Sequence, residues 1–336
     1  MTISERIDSL AQLGIQWSSS DFDVESIFRL ANHQNNWFTI ASLQQALSGV
    51  LEFLKPEVLT NWTNEYKIVD IASKRVGVVM AGNIPMVGFH DWLSVLVCGH
   101  TLQAKLSSQD QVLIKALSNS LIAIDQRWKE KIIFTERLND VDAIIATGSD
   151  NSARYFHYYF SNKPHIIRKN RNSIAVLSGE ETPEQIQRLG TDIFSYYGLG
   201  CRSVSKIYVP QNFTVAQVYD HLESFNGVLD NHKYQNNYDY NRSILLLNKT
   251  VHFDNGFLLM VESTDLVSPI GVLYFERYHN LETLSLYLES QREKIQAIAT
   301  TSPIFLGAVD FGSTQCPTIT DYADGVDTME FLTNLH

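Results

Sequence analysis

One cysteine stands in a glycine-flanked segment, Tyr197-Gly198-Leu199-Gly200-Cys201-Arg202-Ser203. Glycine lets a backbone approach a ligand closely and adopt conformations that other residues resist. A thiol on such a turn is placed to attack a carbonyl, provided that its pKa is lowered and the developing oxyanion is held. The residues alone leave a second reading open, because free cysteine is also among the most buried residue types and packs as a small hydrophobe. Three other segments precede it in order: Gly82-Asn83-Ile84-Pro85, Lys105-Leu106-Ser107-Ser108 and Thr147-Gly148-Ser149. Each has a plain reading of its own, a turn closing a strand for Asn83 and a solvated charge for Lys105. His90, next to Asp91, reads either as a base paired with that acid or as a satisfied structural histidine.

The elements that must position these residues follow from hydrophobic periodicity. The first seventy residues read as helices, with Ile7, Leu10 and Leu13, then Val24, Ile27 and Phe28, then Leu43, Ala46, Leu47 and Val50 at helical spacings. From residue 75 the pattern becomes strand, helix, strand. Arg75-Val76-Gly77-Val78-Val79-Met80 is a short apolar run of the kind buried in a parallel sheet. A helix over 88–98, a strand over 101–105, an amphipathic helix over 111–128 and a strand over 141–146 follow it. A second α/β unit begins near Ser173 with a strand over 174–177, then a helix over 182–197, Cys201 and a strand over 206–209. The polar, aromatic stretch 232–241 reads as a loop. The runs 243–247, 257–261 and 270–275 read as buried strands, and 284–299 as a helix. Gly198-x-Gly200-x-x-Ser203 imitates a dinucleotide fingerprint, but it precedes a strand where the fingerprint needs a strand before and a helix after.

Composition excludes several classes. A net charge of -11 argues against a nucleic-acid surface, which needs clustered Lys and Arg. The one basic patch, Arg168-Lys169-Asn170-Arg171, reads as a site for ligand phosphates or as a solvated turn. Cys98, Cys201 and Cys316 are too far apart for a CxxC pair, which favours a reducing compartment over a disulfide framework or a structural zinc site. Acidic residues in the first eight positions do not suit a signal peptide, and no apolar run of about eighteen residues would span a membrane. The expectation is a cytoplasmic protein without a metal.

Taken together, the order and spacing of the Asn83, Lys105, Gly148-Ser149 and Cys201 segments resemble the aldehyde dehydrogenase superfamily, over about Arg75 to Phe275. That superfamily carries Trp-Asn-x-Pro, Lys-Pro-Ser-Glu, Thr-Gly-Ser and Gly-Gln-x-Cys in the same order. The looser forms here look most like its acyl-CoA reductase branch, the LuxC-type fatty acid reductases of bacterial luminescence systems. The resemblance implies an α/β, aldehyde-dehydrogenase-like fold: two α/β domains with largely parallel sheets behind a helical N-terminal segment. Residues 1–172 would hold the cofactor and 173–302 would carry Cys201, while 303–336 would pack on the cofactor domain or another subunit. Cys201 is implied as the nucleophile that takes the acyl group as a thioester, with Asn83 and the Cys201 backbone N–H as oxyanion donors. Lys105 and Ser107 would bind the cofactor, Lys105 at the adenosine ribose. Gly148 and Ser149 would lie against the pyrophosphate, and Asp265 would touch the nicotinamide ribose in place of the family's Glu.

The departures from the superfamily pattern carry information of their own. The Glu that activates water in aldehyde-oxidising members aligns with Arg168, which cannot act as a base. Its loss removes hydrolysis but leaves thiol exchange and hydride transfer. Ser108 replaces the Glu of Lys-Pro-Ser-Glu, which lifts repulsion against a 2′-phosphate and favours NADPH over NADH, although Asp110 stands nearby. The implied activity is NADPH-dependent reduction of an acyl-CoA or acyl-protein thioester to an aldehyde. The resemblance also implies an acyl-protein synthetase partner, and a homodimer is the default expectation for a soluble oligomer. The alternatives are an aldehyde-oxidising dehydrogenase and a non-catalytic subunit that only carries an acyl chain.

Overall fold

The computed structural model describes residues 1–68, 72–148 and 150–335. The chain folds as two compact units, Met1–Asn170 with Thr318–His336, and Arg171–Pro317. Sequence patterning set the boundaries after residues 172 and 302. The second lies later in the structure because residues 303–317 stay with the second sheet: Val309 bridges Ala299 in parallel, and Asp192 holds the Gly312 and Thr314 backbones.

The first unit opens with four helices, α1 (Ile3–Ser18), α2 (Val24–Gln34), α3 (Ile40–Phe53) and α4 (Pro56–Asn64). Their starts are written locally. Thr2 and Glu5 form a capping box, Asp23 and Thr39 accept from N–H groups of the next turn, and Pro56 occupies the first turn of α4. Next come β1 (Arg75–Val79), α5 (Phe89–Val97), β2 (Thr101–Lys105), α6 (Val112–Ile124), β3 (Ile132–Phe134), β4 (Ala143–Thr147), α7 (Asp150–Phe160) and β5 (His165–Arg168). All five strands pair in parallel, in the order β3-β2-β1-β4-β5. Helices cover the sheet, so β1 and β4 read as unbroken apolar runs and Val76, Val78, Ile144 and Ile145 are fully buried. Indole N–H groups tie the helical layer together, Trp92 donating to Ser118 at 2.9 Å and Trp17 to Ser120 at 3.1 Å. The strands β3 and β5 were not foreseen, since three and four residues are too short to show a period.

Residues 318–335 return to this unit and end in a helix, Thr328–Thr333. Tyr322 accepts from Trp62 and shares a hydrogen bond with Tyr66, each at 2.7 Å, and Tyr66 donates to Asp327. Arg168 closes the same seam. Its guanidinium donates to Asp91 at 2.6 Å and to Thr328 at 2.8 Å, all three residues being buried. Arg168 is therefore neither in a solvated turn nor presented to phosphates. The side chain is an interior strut at the end of a strand that the polar run 168–171 disguised.

The second unit contains β6 (Asn172–Val176), α8 (Pro183–Phe194), β7 (Val204–Pro210), α9 (His232–Leu247), β8 (Phe253–Asp254), β9 (Leu259–Glu262), β10 (Val272–Tyr278), α10 (Leu281–Ser290) and β11 (Ile295–Ala299). Its sheet runs β11-β6-β7-β10-β9-β8, parallel except for β8. Three expectations are corrected here. The stretch 232–241 is helical, and 243–247 is the last turn of the same helix, with Leu246 and Leu247 exposed. Asn231 caps the helix start, and Tyr234 and Tyr238, four residues apart, bury one face while donating to the Phe257 carbonyl and Asp254. Two tyrosines doing the work of leucines made the helix look like a loop. The expected helix over 284–299 is split into α10 and β11, with only a 3-10 turn, Arg292–Lys294, between them.

Replacing Asp91 with Ala leaves the Arg168 guanidinium buried without its carboxylate. The expected loss is about 3–5 kcal/mol. All five tryptophans lie in the first unit, so urea unfolding followed by tryptophan fluorescence reports on that unit. A loss below about 1 kcal/mol would show that the pair does not hold the seam.

Candidate functional site

In the first unit the strand order reverses between β1 and β4, and the crevice outside the carboxyl ends of the strands at such a switch point is where α/β sheets bind ligands. The register aligns Val79 with Lys105 and with Ala146, so the loops after β1, β2 and β4 leave from one edge. Those loops carry Asn83, Ser107 and Gly148, and Lys105 ends β2. Lys105 and Asn83 are exposed there, and Ser107 and Gly148 half-buried. The Gly148 N–H donates to the Arg168 carbonyl at 3.3 Å, so Gly148 can offer a ligand close approach but not that donor. Ser149 lies outside the described residues. The edge suits a dinucleotide: a cationic side chain, a hydroxyl and a glycine before the start of α7 all border the switch point.

The Asn83 loop is held from behind. A Cβ on Gly82 would lie 2.6 Å from the Ser107 side chain, so only glycine lets the β1 and β2 loops touch. Three residues after Asn83, Met86 adopts φ 56°, and its N–H donates to Asp110 Oδ2 at 2.7 Å. Asp110 Oδ1 is buried without a partner among the described residues. Burial pushes the Asp110 carboxyl up to about 7, against the Met86 and Leu113 N–H groups that pull it down. This acid faces inward on the loop, away from the role of a ligand contact.

In the second unit, Cys201 leaves α8 through a turn in which Tyr196, Tyr197 and Gly198 all have positive φ, at 53°, 59° and 78°. Left-handed geometry at two tyrosines costs about 1–2 kcal/mol each. Such strain persists where the surroundings over-determine it, as at functional turns. The turn is pinned on both sides. Ser173 Oγ donates to the Cys201 carbonyl at 3.1 Å, Ser203 N–H to the Gly200 carbonyl at 3.0 Å, and Ser203 Oγ to the Ser195 carbonyl at 3.3 Å. Cys201 itself is exposed, which removes the reading as a packed hydrophobe. Cys98 fits that reading instead, since it is buried and its thiol is pushed up to about 12. Asp265, also exposed, sits in the loop between β9 and β10. That loop doubles back to β7, where Ser205 Oγ donates to the Leu266 carbonyl at 2.9 Å and accepts from Asn172 at 2.8 Å.

The structure therefore gathers Asn83, Lys105, Ser107 and Gly148 on one sheet edge of the first unit, and the Cys201 turn and Asp265 loop near the start of β7 in the second. His90 is structural: its ring meets the Ile319 carbonyl at 2.8 Å and packs against Phe53, Trp62 and Tyr322, while Asp91 is committed to Arg168. Ser173, Asp192 and Gln315 were not singled out by the sequence. The one available signal was Asp192, an acid among Ile186, Leu189 and Ile193 on the buried face of α8. Among the described residues no group of His, Cys, Asp or Glu is placed to hold a metal ion, and no helix is long and apolar enough to cross a membrane.

The acyl-CoA reductase (LuxC) family profile matches residues 1–233. No curated protein matches the chain. Solved structures of similar fold include the aldehyde dehydrogenase of Bacillus cereus in its NAD+ complex, at 14% identity over 90% of this chain and 72% of that one, with a TM-score of 0.65. Aldehyde dehydrogenase C of Pseudomonas syringae, a mutant complexed with NAD+ and octanal, is 10% identical over 91% and 73% of the two chains, TM-score 0.65. Aldehyde dehydrogenase 21 of Physcomitrella patens, in complex with the reaction product succinate, is 13% identical over 99% and 84%, TM-score 0.68. At these identities the structures speak for the fold, which is that of the aldehyde dehydrogenases.

Two outcomes follow from the geometry. Gly198 has φ 78° and only the Ile193 carbonyl, at 3.7 Å, near a would-be Cβ. Gly198→Ala is thus a conformational substitution, expected to cost about 1–2 kcal/mol in thermal unfolding; an unchanged melt would mean that the turn relaxes freely. For Asp110, the folded pKa near 7 lies above the ordinary aspartate value of 3.8. The native state then keeps a proton that the unfolded chain releases, and this group's stability contribution is full below about pH 4 and lost as pH rises toward 7. Asp110→Asn should remove that slope, on the order of 2–4 kcal/mol across the window, so its stability gains on wild type with rising pH. Parallel pH–stability curves would refute the assignment.

Proposed function

The chain belongs to the acyl-CoA reductase (LuxC) family and is an oxidoreductase acting on acyl or aldehyde groups, and from that premise we propose that it reduces an acyl thioester to an aldehyde through an acyl-Cys201 intermediate. The observation that carries the reading is the Cys201 turn: an exposed thiol on a strained turn whose flanking carbonyls are fixed by Ser173 and Ser203.

Cys201, as thiolate, attacks the thioester carbonyl of an acyl-CoA or acyl-protein. The tetrahedral oxyanion is held by the Cys201 backbone N–H and the Asn83 side-chain amide, donors worth roughly 3–4 kcal/mol each. Collapse expels the donor thiol and leaves the acyl group on sulfur. A nicotinamide cofactor, when bound, supplies the hydride that takes the acyl carbon to the aldehyde level. Lys105, Ser107, Gly148 and Ser149 are assigned to hold its adenosine and pyrophosphate, and Asp265 its nicotinamide ribose. Cys201 then retains the reduced carbon as a thiohemiacetal, whose collapse breaks the C–S bond, returns the electron pair to sulfur and releases aldehyde.

Two features support reduction rather than oxidation and NADPH rather than NADH. Arg168, at the position of the water-activating Glu of aldehyde-oxidising relatives, is a guanidinium locked to Asp91 and Thr328, and cannot accept a proton. Ser108 removes a carboxylate from the β2 loop, and the remaining acid there, Asp110, is turned inward on Met86 and repels no phosphate at the surface.

Incubation with labelled acyl-CoA tests the scheme. Wild type should retain label on the peptide containing Cys201 and oxidise NADPH, while Cys201→Ala should lose both, with a rate drop of about a thousandfold or more. Asn83→Ala should keep the acylation site but slow acylation by about a hundredfold. Equal labelling of wild type and Cys201→Ala would overturn the proposal.

A further inference from the structure

Resting on the reading of Cys201 as the acyl-carrying thiol, we infer that Asp192 is a positioning residue: it fastens the segment 311–316 across the Cys201 turn and so sets the reactivity of that thiol. Asp192 is fully buried near the carboxyl end of α8. Both of its oxygens are used on one segment. Oδ2 accepts from Gly312 N–H at 2.6 Å, and Oδ1 accepts from Thr314 N–H at 3.0 Å and Thr314 Oγ1 at 2.7 Å. The segment lies directly on the helix: Gly312 has φ 85°, a Cβ there would sit 3.0 Å from Arg188 Cβ, and Phe311 and Thr314 are fully buried.

From this anchored point the segment reaches the nucleophile turn. Gln315 Nε2 donates to Ser203 Oγ at 3.3 Å, two residues after Cys201, and that hydroxyl in turn donates to the Ser195 carbonyl. Helix packing alone does not call for a carboxylate here, because an apolar side chain of similar volume seals such a face at lower desolvation cost. What three hydrogen bonds supply, and hydrophobic contact does not, is a fixed direction for the strap. Direction matters at the turn, since displacing an attacking atom by about 1 Å can cost roughly a hundredfold in rate.

Two variants separate positioning from bulk stability. Asp192→Asn weakens the anchor itself. Gln315→Ala cuts the link to Ser203 while leaving all three Asp192 bonds in place. The first readout is the alkylation rate of Cys201 by iodoacetamide from about pH 6 to 9, resolved from Cys98 and Cys316 by peptide mass spectrometry. The second is kcat and KM for acyl-CoA reduction. Asp192→Asn should change the Cys201 alkylation rate by about fivefold or more and lower kcat by about 10–100-fold, with KM within about threefold of wild type. Gln315→Ala should move both in the same direction by less, with an unchanged melting temperature, and it carries the test if Asp192→Asn fails to fold. A Cys201 alkylation profile in Gln315→Ala that superimposes on wild type overturns the inference. Alkylation needs no acyl substrate, so a shifted profile in a protein that never reduces acyl-CoA leaves the positioning role standing and removes the proposed function instead.

Discussion

A left-handed turn does most to shape the second unit. After α8 the chain must reverse direction within a few residues to enter β7, and it does so by placing Tyr196, Tyr197 and Gly198 in positive-φ geometry. Only the glycine adopts this readily. The tyrosines are held there by their surroundings: Ser203 is bonded to the Ser195 carbonyl, Tyr197 packs beside Tyr234 of α9, and Tyr196 is half-buried. The product of this local cost is a thiol carried outward, Cys201, on a backbone fixed immediately before and after it.

The first unit relies on a different economy. A parallel sheet delivers the carboxyl ends of its strands to one edge, so residues from loops twenty to sixty positions apart come together without any one loop being long. The fine adjustment then comes from close backbone contact. Gly82 permits the β1 and β2 loops to touch, and Asp110 grips the Met86 N–H behind Asn83. Buried acids thus do similar work in both units. Asp110 and Asp192 each spend a desolvated carboxylate on backbone N–H groups beside a loop that bears a candidate site residue.

Arg168 shows how a single buried cation can serve the architecture of a unit. A guanidinium stays charged and cannot act as a base. In this chain it is also put to structural use, paired with Asp91 of α5 and bonded to Thr328 at the start of the last helix. It is part of the seam holding the chain's final segment to the first unit.

The sequence by itself determined the longer strands and helices up to residue 210, though not β3, α7 or β5, and the short segments around Asn83, Lys105, Gly148 and Cys201, and through them the family. These features are local: apolar runs, glycines and caps act over a few residues, and their spacing survives in the linear chain. The tertiary structure decided what depends on partners far away in sequence. Helix α9 was misread because its buried face is made of Tyr234 and Tyr238, whose hydroxyls find Phe257 and Asp254 only after folding. Arg168 looked solvated because its partners stand 77 and 160 residues away. Asp192 was an unexplained acid on an apolar face until folding brought Gly312 and Thr314 to it from more than a hundred residues downstream. A buried polar group is defined by what satisfies it, and that partner is written nowhere near it in the sequence.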